Sequence, residues 1–256
     1  MCRLLLIINN KLDKNIIKKF LKQSILIKNT PGIEYKYDKN FHKQGYGFAW
    51  KSDKKWNIYK KPLCFSEDQN NDTILNKITK NNKLSNKILI GHIRSNKNLP
   101  FKKKLTNTHP FKYEENIWCH NGIIEDFVEF KKNNMINIKK EYISNIKGNT
   151  DSEFIFYLFL SLLNNNNIND ATILFFNILN KYNKKISANI IFSNNKYVLV
   201  SRYINKNNIG PSLYYSTDNN FIISSEPITS NYDIVKNNTA ILFDYQENRI
   251  INKFDL

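Results

Sequence analysis

Cysteine is scarce in this chain of 256 residues: Cys2, Cys64 and Cys119 are an odd number with no repeated spacing. That argues against a disulfide framework and for a reducing compartment. Metal-ligand spacing is missing as well. His109, Cys119 and His120 lie near one another, but neighbouring side chains on a strand point to opposite faces, and no C-x2-C or H-x3-H pair accompanies them. No metal site is expected. Long apolar runs are absent too, because the opening LLLII gives way at once to the polar NNKLDKN. It is too short for a signal-peptide core or a membrane span, so a soluble, cytoplasmic protein with no membrane association is expected. With seven glycines and six prolines there is no Gly/Ser/Pro-rich linker, and a single domain over residues 2–256 is the default reading.

Acidic residues are also few. Twenty-two Asp and Glu stand against 39 Lys and Arg, a formal charge of +17. Such a balance suits a binder of phosphate backbones or anionic surfaces. The lysines, however, come in short groups such as Lys102 to Lys104, with no long basic block, and asparagine is enriched beside them in stretches like NNNNIND. That joint enrichment reads as compositional drift on solvated faces, and nucleic acid is not the expected partner.

What remains is a chain able to fold, with 41% hydrophobic and 13% aromatic residues. Arg3 to Ile8 reads as a buried strand and Asp13 to Ile25 as a helix with Ile16, Ile17, Phe20, Leu21 and Ser24 on one face. GYGFAWKSDKKWNIYKK reads as a hairpin turning at SDKK. A polar helix near Asp72 to Thr79 precedes the strand KILIGHIRS. ENIWCHNGIIEDFVEF reads as a strand entering a tight turn at Asn121 and Gly122, then a helix. GNTDSEFIFYLFLSLL carries a capping pattern, Thr150 with Glu153 three residues on, before an apolar helix, and a further helix follows over Ala171 to Tyr182. From Ser187 onward three strand pairs turn at SNNK, TDNN and QENR. No regular βαβ alternation or internal repeat is present, so antiparallel sheets covered by helices are expected, not a doubly wound parallel sheet.

The polar residues that stand out sit at strand ends and turns: Cys2, Arg94, His109, His120, Asn121, Gly122 and Asp151. Each alone has an ordinary explanation, as a small buried hydrophobe, a hydrogen-bonded structural histidine, a turn or a helix cap. GYG is no phosphate cradle, since it precedes a strand and lacks the G-x-x-x-x-G-K-[ST] pattern. Together the residues supply a nucleophile, oxyanion donors and opposite charges for a zwitterion, which an amide hydrolase acting on a free amino acid requires.

The ordered set MCRLL, GYGFAW, GHIRS, NTHPF, CHNGII, GNTDSE and ISSEP resembles the class II glutamine amidotransferases, from residue 2 to about residue 228. It is most similar to the stand-alone members without a fused synthase domain. The resemblance implies the N-terminal-nucleophile hydrolase fold, an α+β, four-layer αββα sandwich. Cys2 matches the nucleophile, freed by removal of Met1, with its own α-amine as the base. Asn121 and Gly122 match the oxyanion hole, Arg94 the grip on the substrate α-carboxylate and Asp151 the partner of its α-ammonium. His109, His120, Ser225 and Glu226 match supporting positions, and Gly47 is expected to let a strand pass close to Cys2. No cofactor is implied.

The expected reaction is hydrolysis of the γ-glutamyl amide of glutamine or a γ-glutamyl compound. Two alternatives stay open: a γ-glutamyl peptide hydrolase of glutathione type working with a partner subunit, and a non-catalytic basic protein of the same fold that binds anions. A separate acceptor chain for ammonia is compatible with the first reading. One departure stands out: family members usually have Thr and Gly after the arginine, where this chain reads RSNKNLPFKKK.

Overall fold

In a computed structural model, the residues described are 2–9, 12–24, 42–52, 55–80, 87–95, 103–206, 210–216 and 221–256. Met1, the SDKK turn residues 53–54, the whole TDNN turn (217–220) and the lysine-rich stretch 96–102 after Arg94 lie outside them, as does the expected end of the first helix at Ile25.

The chain opens with β1 (Arg3–Asn9) and α1 (Lys14–Lys22), whose first turn is capped by Asp13 accepting from the N–H of Asn15. The hairpin β2 (Gly45–Ser52) and β3 (Lys55–Lys61), helix α2 (Asn71–Thr79) and β4 (Lys87–Arg94) follow. Next come β5 (Phe111–Tyr113), β6 (Asn116–Ile124), α3 (Phe127–Asn134), α4 (Lys140–Ile143), α5 (Asp151–Leu163) and α6 (Ile168–Asn180). The chain ends in β7 (Ile186–Ser193), β8 (Tyr197–Arg202), β9 (Tyr214–Ser216), β10 (Phe221–Ser224), β11 (Asp233–Ile234), β12 (Thr239–Asp244) and β13 (Arg249–Asp255).

The strands form two antiparallel sheets, one in the order β11-β9-β10-β1-β4-β2-β3 and the other β13-β12-β8-β7-β6-β5. Strand alternation divides the apolar residues into three layers. Leu4, Leu6, Ile8, Ile88 and Ile90 pack against Ile117, Cys119, Ile191 and Val200 between the sheets. Leu5, Ile7, Leu89 and Ile93 face outward onto Ile17, Phe20 and Leu21 of α1 and Ile74, Leu75 and Ile78 of α2. On the other outer side Trp118, Ile190 and Phe192 meet Phe156, Phe159 and Phe175 of α5 and α6. The result is the expected αββα sandwich.

One local expectation is overturned. Asn121 and Gly122 are not a tight turn: β6 runs unbroken from Asn116 to Ile124, with Asn121 opposite Asn189 and Gly122 opposite Ala188 on β7. The Asn-Gly pair is a turn signal only where the chain reverses. Here an eight-residue ladder with β7 holds it extended.

Candidate functional site

β1 lies at the centre of its sheet, paired with β4 on one side and β10 on the other. Cys2 precedes its first paired residue and continues the inward face of Leu4 and Leu6, which packs on β6. The thiol meets the backbone of Ser95, whose N–H lies 3.4 Å from Sγ and whose carbonyl lies 3.6 Å away. The next residues are anchored from the SEP segment. Leu4 N–H donates to Ser225 Oγ at 2.9 Å, Ser225 N–H to the Leu4 carbonyl at 3.1 Å, and the Arg3 guanidinium pairs with Glu226 at 2.7 Å. Ser225 and Glu226 thus sit where supporting residues were expected.

Arg94 closes β4 beside this strand and is 5% exposed. Burial lowers its guanidinium pKa, opposed by the negative charges of the Cys2 thiolate and Asp151, which places all three groups in one field. Its Nη1 is buried and has no hydrogen-bond partner among the described residues. Asn121 is 1% exposed, and both polar atoms of its amide are likewise unpartnered among the described residues. A buried amide and a buried guanidinium left open are expensive to keep unless something else binds them.

Asp151 opens α5 immediately after the cap residue Thr150, whose hydroxyl accepts from Glu153 N–H at 3.2 Å. Its carboxylate accepts from Ile124 N–H at 3.0 Å and Ser152 N–H at 2.8 Å, tying the helix start to β6 just past Gly122. Glu153 does not complete the expected capping box. It reaches back to the N–H groups of Lys147 and Gly148 at 3.0 and 2.6 Å and so shapes the loop ahead of the cap. Asn107 locks that loop to NTHPF by a reciprocal pair, donating to Asn149 Oδ1 at 2.7 Å and accepting from Asn149 N–H at 3.1 Å.

Three histidines form a buried cluster under the site. His120 points away from the sheet interface, its Nε2–H donating to the Ser187 carbonyl and its Nδ1 accepting from the Ser152 hydroxyl at 2.8 Å. His92 Nε2–H donates to the His120 carbonyl at 3.2 Å, and its ring stacks on His109 with centroids 4.0 Å apart. Burial pulls all three below the usual imidazole value, His92 to about 3 and His109 well below, so all three are neutral near pH 7. Among the described residues His109 is held by ring packing alone, while His120 joins the β6 strand to the start of α5.

Both glycines are demanded by close neighbours, and for Gly47 that neighbour is not the expected one. A Cβ on Gly47 would come within 2.3 Å of the His109 carbonyl and 2.7 Å of Lys60 Cβ, so Gly47 admits the NTHPF loop and not Cys2. A Cβ on Gly122 would lie 1.8 Å from the Ser187 carbonyl and 2.5 Å from His120 Nε2. It is therefore the close approach of β7, not of a substrate, that demands glycine there.

Four contributors were missed from sequence: Ser95, His92, the Asn107–Asn149 pair and Asn189. The last stands opposite Asn121 and is fully buried, its amide donating to the carbonyls of Pro211 and Ser212 at 3.1 Å each and its Oδ1 open among the described residues. His92 and Ser95 flank Arg94 inside GHIRS, where alternation alone puts His92 on the inward face with Arg94. Asn107 and Asn189 carry no such signal.

The model of the class II glutamine amidotransferases matches residues 23–209. The chain belongs to this family of enzymes. A curated relative, the probable glutamine amidotransferase DUG3 of Saccharomyces cerevisiae, is 29% identical over 161 residues, 51% of this chain and 45% of that protein. The matched stretch thus spans less than half of that relative's length. Among solved structures, a class II glutamine aminotransferase domain protein from Silicibacter pomeroyi superposes with a TM-score of 0.64 at 19% identity over 99% of both chains. The glutamine phosphoribosylpyrophosphate amidotransferase of B. subtilis gives 0.63 at 14% identity over 99% of this chain and 49% of its own. At those identities the two structures speak for the fold, the N-terminal-nucleophile hydrolase type. Among the described residues no helix is long and apolar enough to cross a membrane.

Proposed function

We propose that this amidotransferase-family chain hydrolyses the γ-glutamyl amide bond of glutamine, or of a γ-glutamyl compound, through a thioester at Cys2. The observation that carries the reading is the pair of buried, open polar groups on the strands packed around β1, the Arg94 Nη1 on β4 and the Asn121 amide on β6, with the Asp151 carboxylate in the field of Arg94. A substrate that is anionic at one end, cationic beside it and carries a carbonyl further along satisfies all of them at once. The arginine fork takes the α-carboxylate, the aspartate the α-ammonium, and the asparagine amide and Gly122 N–H the oxyanion.

In this mechanism Met1 is removed and the α-amine of Cys2, whose ordinary pKa is roughly 7.7–8.0, accepts the thiol proton as sulfur attacks the γ-carbon. Collapse of the tetrahedral intermediate breaks the C–N bond, the proton passes to the leaving nitrogen, and ammonia or an amine departs. Water then adds to the thioester, returning the proton to sulfur and releasing glutamate. Ser95 N–H, already 3.4 Å from Sγ, steadies the thiolate.

The test is glutamate release from glutamine and from γ-glutamyl peptides by protein whose mass shows Cys2 at the N-terminus, with acid quench to trap the thioester. Release by the wild type and none by Cys2→Ala is expected. Absence of both glutamate and a Cys2 adduct with every substrate rejects the reading. Which leaving group is preferred separates a glutaminase, serving an acceptor on another chain, from a γ-glutamyl peptide hydrolase.

A further inference from the structure

We propose that Arg3 and Glu226 form a charge-balanced clamp that positions the α-amine of Cys2 and sets the pH at which it works as the base. The inference deepens the hydrolase reading and rests on it for the role of the amine. The sheet leaves Cys2 half tethered. β4 pairs with β1 from Arg3 onward and β10 from Leu5 onward, with Ser225 extending the hold to Leu4. Cys2 itself precedes the ladder. A residue that must keep its nitrogen free for chemistry has to be held by its carbonyl, and Arg3 does this.

The Arg3 side chain lies on the outward face of β1, opposite to the thiol, and folds back so that Nη1 donates to the Cys2 carbonyl at 3.1 Å. Nε donates to Glu226 Oε1 at 2.8 Å, and Nη2 lies 2.7 Å from the same oxygen. The two side chains are 4% and 5% exposed. Glu226 is fixed in turn by its own segment, where Ser224 Oγ donates to its carbonyl at 2.6 Å and Ser225 bonds Leu4. One fork therefore spans a carboxylate from the far end of the chain and the carbonyl of the nucleophilic residue.

The electrostatic consequence follows from which charge is nearer. The guanidinium touches the residue that bears the amine, while the carboxylate stands behind it, so the pair presents a partly compensated positive charge. The titratable groups on the elements around β1, Arg94 and His92 on β4, Cys119 and His120 on β6 and Asp151 on α5, are common to every variant below. Removing Glu226 alone leaves an uncompensated cation, which favours the neutral amine. Removing Arg3 alone leaves a buried anion, which favours the ammonium.

The experiment follows kcat/KM against pH for the wild type, Glu226→Gln, Arg3→Gln and the double variant. In parallel, the α-amine is titrated independently of turnover by the pH dependence of trinitrobenzenesulfonate labelling of the terminal peptide in a Cys2→Ser background. The acidic limb and the labelling midpoint are expected to move down by about one pH unit in Glu226→Gln and up by about one in Arg3→Gln, and to return near the wild-type position in the double variant. Arg3→Lys keeps the charge but not the fork, so its limb stays near wild type while kcat falls. Identical midpoints in Glu226→Gln, the double variant and the wild type overturn the clamp, even if Arg3→Gln alone does not fold. Shifted labelling midpoints in a protein that cleaves no γ-glutamyl substrate leave the clamp standing and reject the hydrolase reading instead.

Discussion

At the scale of single residues, the site is distinguished by what its side chains leave unmade. Arg94 is excluded from water yet ends in an open nitrogen among the described residues, and Asn121 keeps both polar atoms open at 1% exposure. Each residue meets a different part of the proposed substrate, so their losses separate. Arg94→Lys keeps the charge and loses the planar fork, and steady-state kinetics with glutamine are expected to show KM raised by about tenfold or more with a smaller change in kcat. Asn121→Ala removes a donor used only when the oxyanion forms, so kcat should fall about 10²- to 10³-fold with KM little changed. Equal effects of both variants on KM and kcat contradict this division. Cys2, Arg94 and Asp151 stood out in their motifs because each side chain carries its own chemistry. Asn189 did not, since its importance comes from standing opposite Asn121 in a strand register that no local pattern encodes.

At the scale of elements, period-2 alternation and helix caps were readable, and the misreadings came where two strands meet. The Asn-Gly pair has turn chemistry, but eight paired residues on β7 override it. Gly122 is then forced by the neighbouring strand, whose Ser187 carbonyl fills the space of a Cβ at 1.8 Å. Gly122→Ala should therefore destabilise the fold by about 3 kcal/mol or more, the upper range of overpacking, when urea unfolding is followed by fluorescence. Gly210→Ala is the control. Its Cβ would meet only Ile204 side-chain atoms at 3.2 Å and beyond, and a change within about 1 kcal/mol is expected. A well-folded Gly122→Ala protein with no loss of stability would mean that β6 and β7 do not pair this closely. The loops show the same limit of sequence reading. Glu153 was visible as a capping residue, but that it braces the chain before the cap depends on how NTHPF, held through Asn107, folds over GNTDSE.

At the scale of the whole molecule, antiparallel sheets under helices followed from element order and the αββα layering from the family resemblance, whereas the burial of three histidines together followed from neither, because GHIRS, NTHPF and WCHNG converge only when the two sheets stack. That convergence has a stability consequence. His92, His109 and His120 all have folded-state pKa values below the unfolded value of about 6.5, so the unfolded chain binds more protons wherever the pH lies between the two. Their contribution is thus full above about pH 6.5 and is lost as the pH falls toward the folded values. Between pH 7.5 and 5.5 a histidine that stays neutral in the fold, as His92 does, weakens folding by about 1.4 kcal/mol, and His109 and His120 add to that loss. Urea unfolding at the two pH values checks the sum, and His109→Gln isolates one share. Its ring is held by stacking on His92 and by an edge contact with Phe111, so the variant should be weaker at pH 7.5 yet lose less than the wild type on acidification. An undiminished pH dependence in His109→Gln would show that His109 is already protonated in the folded protein, and the buried neutral cluster beneath the site would have to be redrawn.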